Sequence, residues 1–168
     1  GDVYKRQDDT VTITGCDKKA SGRLVIPATI EGKPVTSIGD EAFSDCWELT
    51  SITIPDIVTS IGKRAFGFCR SLTSITIPDS VTSIGNYAFF ECSKLTSIAI
   101  PDGVTSIGEG VFSKCSNLTS VTIPNSVTII GFGVFLNCKK LYSIKIPDSA
   151  TSIAGRSFSG CTSLTNIT

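Results

Sequence analysis

Six cysteines, Cys46, Cys69, Cys92, Cys115, Cys138 and Cys161, stand 23 residues apart along the chain. Leu49, Leu72, Leu95, Leu118, Leu141 and Leu164 keep the same phase, as do Pro55, Pro78, Pro101, Pro124 and Pro147, and Phe43, Phe66, Phe89, Phe112, Phe135 and Phe158. Apolar residues locked to one period are incompatible with a single irregular core. They require a row of equivalent units, each leaving one apolar side for the next to cover.

One unit shows what is repeated. In Leu95-Thr96-Ser97-Ile98-Ala99-Ile100-Pro101 the side chains of Ile98 and Ile100 alternate with small ones, the period-2 pattern of a strand with one buried face. Pro101 lacks the N–H a ladder needs, and Asp102-Gly103 is turn chemistry. Val104-Thr105-Ser106-Ile107-Gly108 then reads as a second short extended run. From Glu109 to Cys115, Val111, Phe112 and Cys115 fall at i, i+1 and i+4, the inward face of a helical turn. Stacked units pair their strands in parallel about 4.8 Å apart, so that like residues form columns. The fold class expected is an α/β repeat, a solenoid with a parallel sheet on one face and short helical turns on the other.

The first unit departs from this pattern. Pro27 and Val35 are eight residues apart where Pro55 and Val58 are three apart, an insertion of five. Val11-Thr12-Ile13-Thr14 and Leu24-Val25-Ile26 read as strands joined through Gly15 to Gly22, so residues 8–34 are expected to cap the first apolar edge and residues 35–168 to form the array. The segment Asp2-Val3-Tyr4-Lys5-Arg6-Gln7 matches the in-frame translation of GATGTGTATAAGAGACAG, a transposase adapter used in preparing sequencing libraries. Residues 1–7 are accordingly read as foreign, the alternative being a native peptide that matches by chance. Leu164-Thr165-Asn166-Ile167-Thr168 stops inside a strand motif, and both ends are read as cuts in a longer gene.

The pattern Leu-x-x-Ile-x-Ile-Pro-x-x-Val-x-x-Ile-Gly-x-x-Ala-Phe-x-x-Cys, complete in residues 72–92, resembles the BspA-like, or Treponema-type, leucine-rich repeats. Gly32-Lys33-Pro34-Val35-Thr36-Ser37-Ile38-Gly39 is similar to the opening of such arrays. Departures are few: Ala154 replaces the glycine of the Ile-Gly pair, and Ser157, Val111 and Val134 replace the alanine before phenylalanine. The first of these puts the local geometry near residue 154 in question. The resemblance implies a leucine-rich-repeat solenoid from a mostly bacterial family of large cell-surface or secreted proteins, several of them linked to adhesion to host proteins or other cells.

Composition narrows the function. Lys plus Arg and Asp plus Glu each number 15, so no basic excess exists to neutralise nucleic-acid phosphates. No run of 18 apolar residues is present to span a membrane. The chain has no histidine, which removes the commonest general base and the Ser-His, Cys-His and His-metal constellations. Gly131-Phe132-Gly133 lacks the third glycine of a dinucleotide loop, and Gly155-Arg156-Ser157-Phe158-Ser159-Gly160 has its serine out of step for a nucleophile elbow. The cysteines lie one unit apart rather than two to four residues apart, so they are read as buried free thiols, not zinc ligands or disulfides. Cys16 is off the pattern. Asn117-Leu118-Thr119 and Asn166-Ile167-Thr168 match glycosylation sequons, but repeat phase explains both. No enzyme activity, metal or cofactor is expected.

Binding is expected on the solvent side of the strands. Ser74, Thr76, Ser97, Ser120, Thr122, Ser143 and Lys145 are the candidate ligand-binding residues, in columns interrupted at Ala99 and Lys145. Phe68, Tyr87, Phe90 and Phe132 should be exposed on the opposite side as scattered aromatics. The partner expected is a protein or glycan on a host or neighbouring cell. Near-identical repeats would equally serve a structural stalk that displays another domain of the parent protein.

Overall fold

The computed structural model describes residues 3–168; Gly1 and Asp2, the first two residues of the segment read as foreign, lie outside them. Each coil of the array contributes two short strands, and both sets pair in parallel with one-coil register. On one side Ser21–Val25, Glu48–Thr53 and Ser74–Thr76 form a ladder, followed by Ser97–Ala99 with Ser120–Thr122 and by Ser143–Ile144 with Asn166–Ile167. On a second side Ser37 pairs Ser60 and Ser60 pairs Ser83, and a separate ladder runs from Ser106 through Ile129 to Ser152. The second extended run is therefore a strand. Ala154 still donates to Ile130 O at 2.9 Å, so loss of the glycine there does not break the ladder.

The first sheet is not continuous as the repeat pattern implies; it is interrupted after Ser74–Thr76 and after Ser120–Thr122. From the second repeat on, each of its strands is only two or three residues long, and a proline that cannot donate follows two residues after the strands Ser74–Thr76, Ser97–Ala99 and Ser120–Thr122. The core absorbs the interruptions. Leu72, Leu95, Leu118, Val81, Val104 and Val127 are fully buried or nearly so, and the phenylalanine rings stack coil on coil at 5.3–5.8 Å between centroids.

The expected helical turns are absent: the described residues contain no helix. Over Glu41 to Cys46, alternate N–H groups leave the segment. Glu41, Phe43 and Asp45 donate to Lys63 O, Ala65 O and Gly67 O of the next coil at 2.7–2.9 Å, while Ala42, Ser44 and Cys46 donate back to the third preceding carbonyl. A helix needs every N–H along its own axis, so this segment is a third inter-coil ladder folded into successive turns. The cost is backbone strain. Glu41, Asp45, Arg64, Phe68, Tyr87, Glu91, Lys114, Asn137 and Arg156 all have positive φ, and Gly110, Gly133 and Gly160 fill equivalent places in other coils.

In the first coil Thr10–Ile13 pairs in parallel with Lys33–Ile38, and Tyr4–Gln7 adds antiparallel to its outer edge. The five-residue insertion is a hairpin, Thr29–Ile30 against Lys33–Pro34, turning through Glu31 and Gly32, both with positive φ as a type I′ turn requires.

Candidate binding surface

Two classes of hydroxyl emerge on the strand side. Thr73, Thr119 and Thr165, at the strand entrances, donate to the backbone carbonyl of Thr50, Thr96 and Tyr142 one coil earlier at 3.0–3.3 Å. Ser80, Ser126 and Ser149 do likewise after the prolines, to Val58 O, Val104 O and Val127 O at 2.6–2.7 Å. These residues are staples between coils, and their polar capacity is used. The candidate residues differ. Ser74, Thr76, Ser97, Ser120, Thr122 and Lys145 are exposed and Ser143 is half-buried. None of the seven side chains hydrogen-bonds another described residue. Their donors and acceptors point outward while the strands that carry them are fixed by Ile75, Ile98, Val121 and Ile144 in the core.

Five of the seven come together. Ser74, Thr76, Ser97, Ser120 and Thr122 line one shallow groove of about 340 Å³, and Ala99 lies among them as its smallest side chain. A second depression of about 260 Å³ joins it through Ser74 and Thr76 and continues to Ser51 and Thr53. Ser143 and Lys145 fall outside both. Ala99, which looks in the sequence like a gap in a polar column, is thus what makes room in the groove.

The opposite side corrects the expectation of scattered aromatics. Phe132 is exposed, but Phe68, Tyr87 and Phe90 are half-buried and touch one another edge to face, with centroids 5.2 Å apart for Phe68–Phe90 and 5.7 Å for Tyr87–Phe90. Arg64, Arg70 and Lys114 lie over the rings of Tyr87, Phe68 and Phe90 at 5.4–5.5 Å. Glu91 pairs with Arg70 at 3.0 Å, and Tyr87 Oη donates to Glu109 Oε1 at 2.5 Å, a bond that holds the phenol proton and raises its pKa. Gly110 makes space for this cluster, since a Cβ there would sit 2.2 Å from the Tyr87 ring. Column-by-column reading misses it because the residues meet diagonally, across columns and neighbouring coils.

The remaining sequence candidates are structural. Ser157 is buried and donates to Gly131 O and Ala154 O, so its hydroxyl is not presented as a nucleophile. The column thiols Cys69, Cys92, Cys115 and Cys138 are buried and free, each donating to the carbonyl of a phenylalanine one coil earlier at 3.1–3.2 Å. Burial pushes Cys69 and Cys115 up to about 12 and raises Cys92 and Cys138 as well, so all four stay protonated. No helix among the described residues is long and apolar enough to cross a membrane.

This arrangement of coils has counterparts among solved structures. A leucine-rich repeat protein of T. pallidum is 35% identical and superposes with a TM-score of 0.92, over 98% of this chain and 77% of that one. A leucine-rich cell surface protein from Faecalibacterium prausnitzii is 37% identical with a TM-score of 0.71, and a leucine-rich repeat protein from Bacteroides ovatus 31% identical with 0.72. The chain spans about half the length of these two, 52% and 51%. No curated protein matches the chain. The pattern described as the BspA type leucine-rich repeat region matches six copies over residues 36–168, and with the stacked coils, inward phenylalanines and thiol column it places the chain in the BspA-type leucine-rich repeat family.

Proposed function

We propose that the chain is a non-catalytic interaction module of a bacterial cell-surface or secreted protein, and that it binds a protein or glycan through its strand side. The observation that carries this reading is the groove lined by Ser74, Thr76, Ser97, Ser120 and Thr122, whose hydroxyls are unspent within the fold and held on the most regular part of each coil. Shallow, neutral and rich in hydroxyls, it suits the polar edges of an extended peptide or a sugar chain better than a phosphate backbone, and the balanced charge of the chain agrees. The F. prausnitzii relative, described as a cell surface protein, supports the location. Segments 8–34 and 35–168 keep their proposed roles of cap and array, and residues 1–7 that of a foreign extension.

A screen of the intact chain against host matrix proteins and glycans tests this, with Ala99→Arg as the diagnostic variant. The long side chain fills the groove from its floor and leaves the core untouched. Partner binding lost in this variant, with an unchanged melting temperature, is the expected result; binding that survives it places the contact elsewhere. If the screen finds no partner at all, the stalk reading takes over.

A further inference from the structure

The charge of the chain balances overall but not locally. Between residues 62 and 163, eight of the nine Lys and Arg side chains fall in the turn segments, where Glu91 and Glu109 are the only acids; Asp79, Asp102 and Asp148 sit instead after the prolines. The turn side of the array is therefore cationic. Part of it is concave: Glu91, Ser93, Lys114, Ser116, Asn137 and Lys139, from three successive coils, line a cleft of about 320 Å³. Its polar groups are largely unspent. Among the described residues the ion pairs are Arg6–Glu31 and Arg70–Glu91, so Arg70 neutralises the one carboxylate of the cleft and leaves Lys114 and Lys139 without a counter-ion. Lys114 is seated over the Phe90 ring at 5.4 Å, which steadies its ammonium without using its N–H donors. Beside the two lysines, the Ser116 hydroxyl and the Asn137 amide hydrogen-bond no other described residue. Gly160 clears the space for that amide, since a Cβ there would sit 2.0 Å from Asn137 Oδ1.

We propose that this cleft is a second binding site, for an acidic glycan whose carboxylate or sulfate group is held by Lys114 and Lys139 and whose hydroxyls meet Ser116 and Asn137. Two ammonium groups with no counter-ion attract an anion, and a neutral sugar leaves them unused. The lining favours a sugar chain over the other polyanions. It holds hydroxyls and an amide, with no apolar side chain to receive those of a peptide and no aromatic face on which a nucleic-acid base could stack, Phe90 being covered by Lys114. The half-buried rings of the turn side thus hold cations in place for a ligand and do not themselves meet it. The site lies on the opposite side from the strand groove, takes a ligand of its own, and holds whether or not the groove binds anything.

Binding of the intact chain to immobilised heparin, hyaluronan, poly-L-glutamate and single-stranded DNA is measured by biolayer interferometry. Heparin should be bound, with an affinity that falls as salt rises. Lys114→Glu/Lys139→Glu should weaken it about tenfold or more, and Lys139→Glu alone, at an exposed position free of positive φ, about threefold or more. Lys19→Glu, the same charge reversal on an exposed lysine of the cap, should change the Kd by less than about twofold. All three variants should melt within about 3 °C of the parent protein. Hyaluronan, which carries carboxylates and no sulfate, identifies the anion: binding as tight as that of heparin assigns the lysines to a carboxylate, and weaker binding assigns them to a sulfate. No binding of heparin, equal losses in Lys19→Glu and the cleft variants, or binding of poly-L-glutamate or DNA as tight as that of heparin would overturn the proposal.

Discussion

Replacing Phe112 with alanine tests whether the array is held by stacking between neighbouring coils. Phe112 is fully buried between Phe89, 5.8 Å away, and Phe135, 5.7 Å away, with ring planes within 15° of parallel. Truncating a buried phenylalanine costs about 3–5 kcal/mol, and two lost ring contacts place this site at the upper end, about 5 kcal/mol. Phe158 offers the control: it is half-buried with one ring neighbour, Phe135 at 5.6 Å, and its truncation should cost about 2 kcal/mol. In a solenoid, stability is a sum of unit and interface terms, so a broken central interface also divides the array. Urea unfolding followed by far-ultraviolet circular dichroism and by fluorescence of Trp47, the single tryptophan, separates these effects. The two transitions should coincide in the parent protein. In Phe112→Ala the dichroism transition should move to lower urea and precede the Trp47 transition, since Trp47 lies in the first repeat. Equal losses for the two variants, or a loss below about 2 kcal/mol at Phe112, would refute column stacking as the source of stability.

Gly103 stands where Ser80, Ser126 and Ser149 staple adjacent coils, and its Cβ position is 3.1 Å from Val81 O; Gly103→Ser should therefore raise stability by about 0.5–1.5 kcal/mol in thermal or urea unfolding, and a loss would show that the staple cannot form there. In the reduced, native protein a thiol reagent should modify Cys16 first and all seven cysteines only after denaturation. With Cys115 at about 12, only about one thiol in ten thousand is ionised at pH 8, and labelling should quicken as pH rises; rapid modification of Cys92 or Cys115 near neutral pH would contradict their burial. Removing residues 1–7 takes away a strand of which only Tyr4 is half-buried, so the melting temperature should fall by less than about 4 °C; a larger drop would show that this strand belongs to the cap.

Much of the fold is legible because one residue type per column reports one environment. Leucine, isoleucine, phenylalanine and cysteine recur every 23 residues, and apart from the half-buried Ile84 and Ile146 each column is buried until the last coil, where Phe158, Cys161 and Leu164 are half-buried and Ile153 and Ile167 exposed. The turn segment misleads because Val111, Phe112 and Cys115 fall at i, i+1 and i+4 equally well on a helix and on successive tight turns. A clue was present: Gly110, Gly133 and Gly160 share phase with Arg64, Lys114 and other residues that adopt positive φ, where glycine carries no Cβ penalty. The aromatic cluster is hidden for a different reason: it joins residues of unlike phase, which a periodic sequence cannot signal. The strand groove was legible in its hydroxyls but not in its shape, since the value of Ala99 lies in the space it leaves.

The binding face is tested most directly by measuring the dissociation constant of an identified partner for two double variants side by side. Arginines in Ser97→Arg/Thr122→Arg project into the groove without entering the core, and Tyr87→Ser/Phe90→Ser dismantles the aromatic cluster on the other side. The account predicts at least a hundredfold loss of affinity, about 2.7 kcal/mol, for the first variant and a change under threefold for the second, with both arrays still folded. Affinity kept by Ser97→Arg/Thr122→Arg and lost by Tyr87→Ser/Phe90→Ser would contradict it and move the site to the turns.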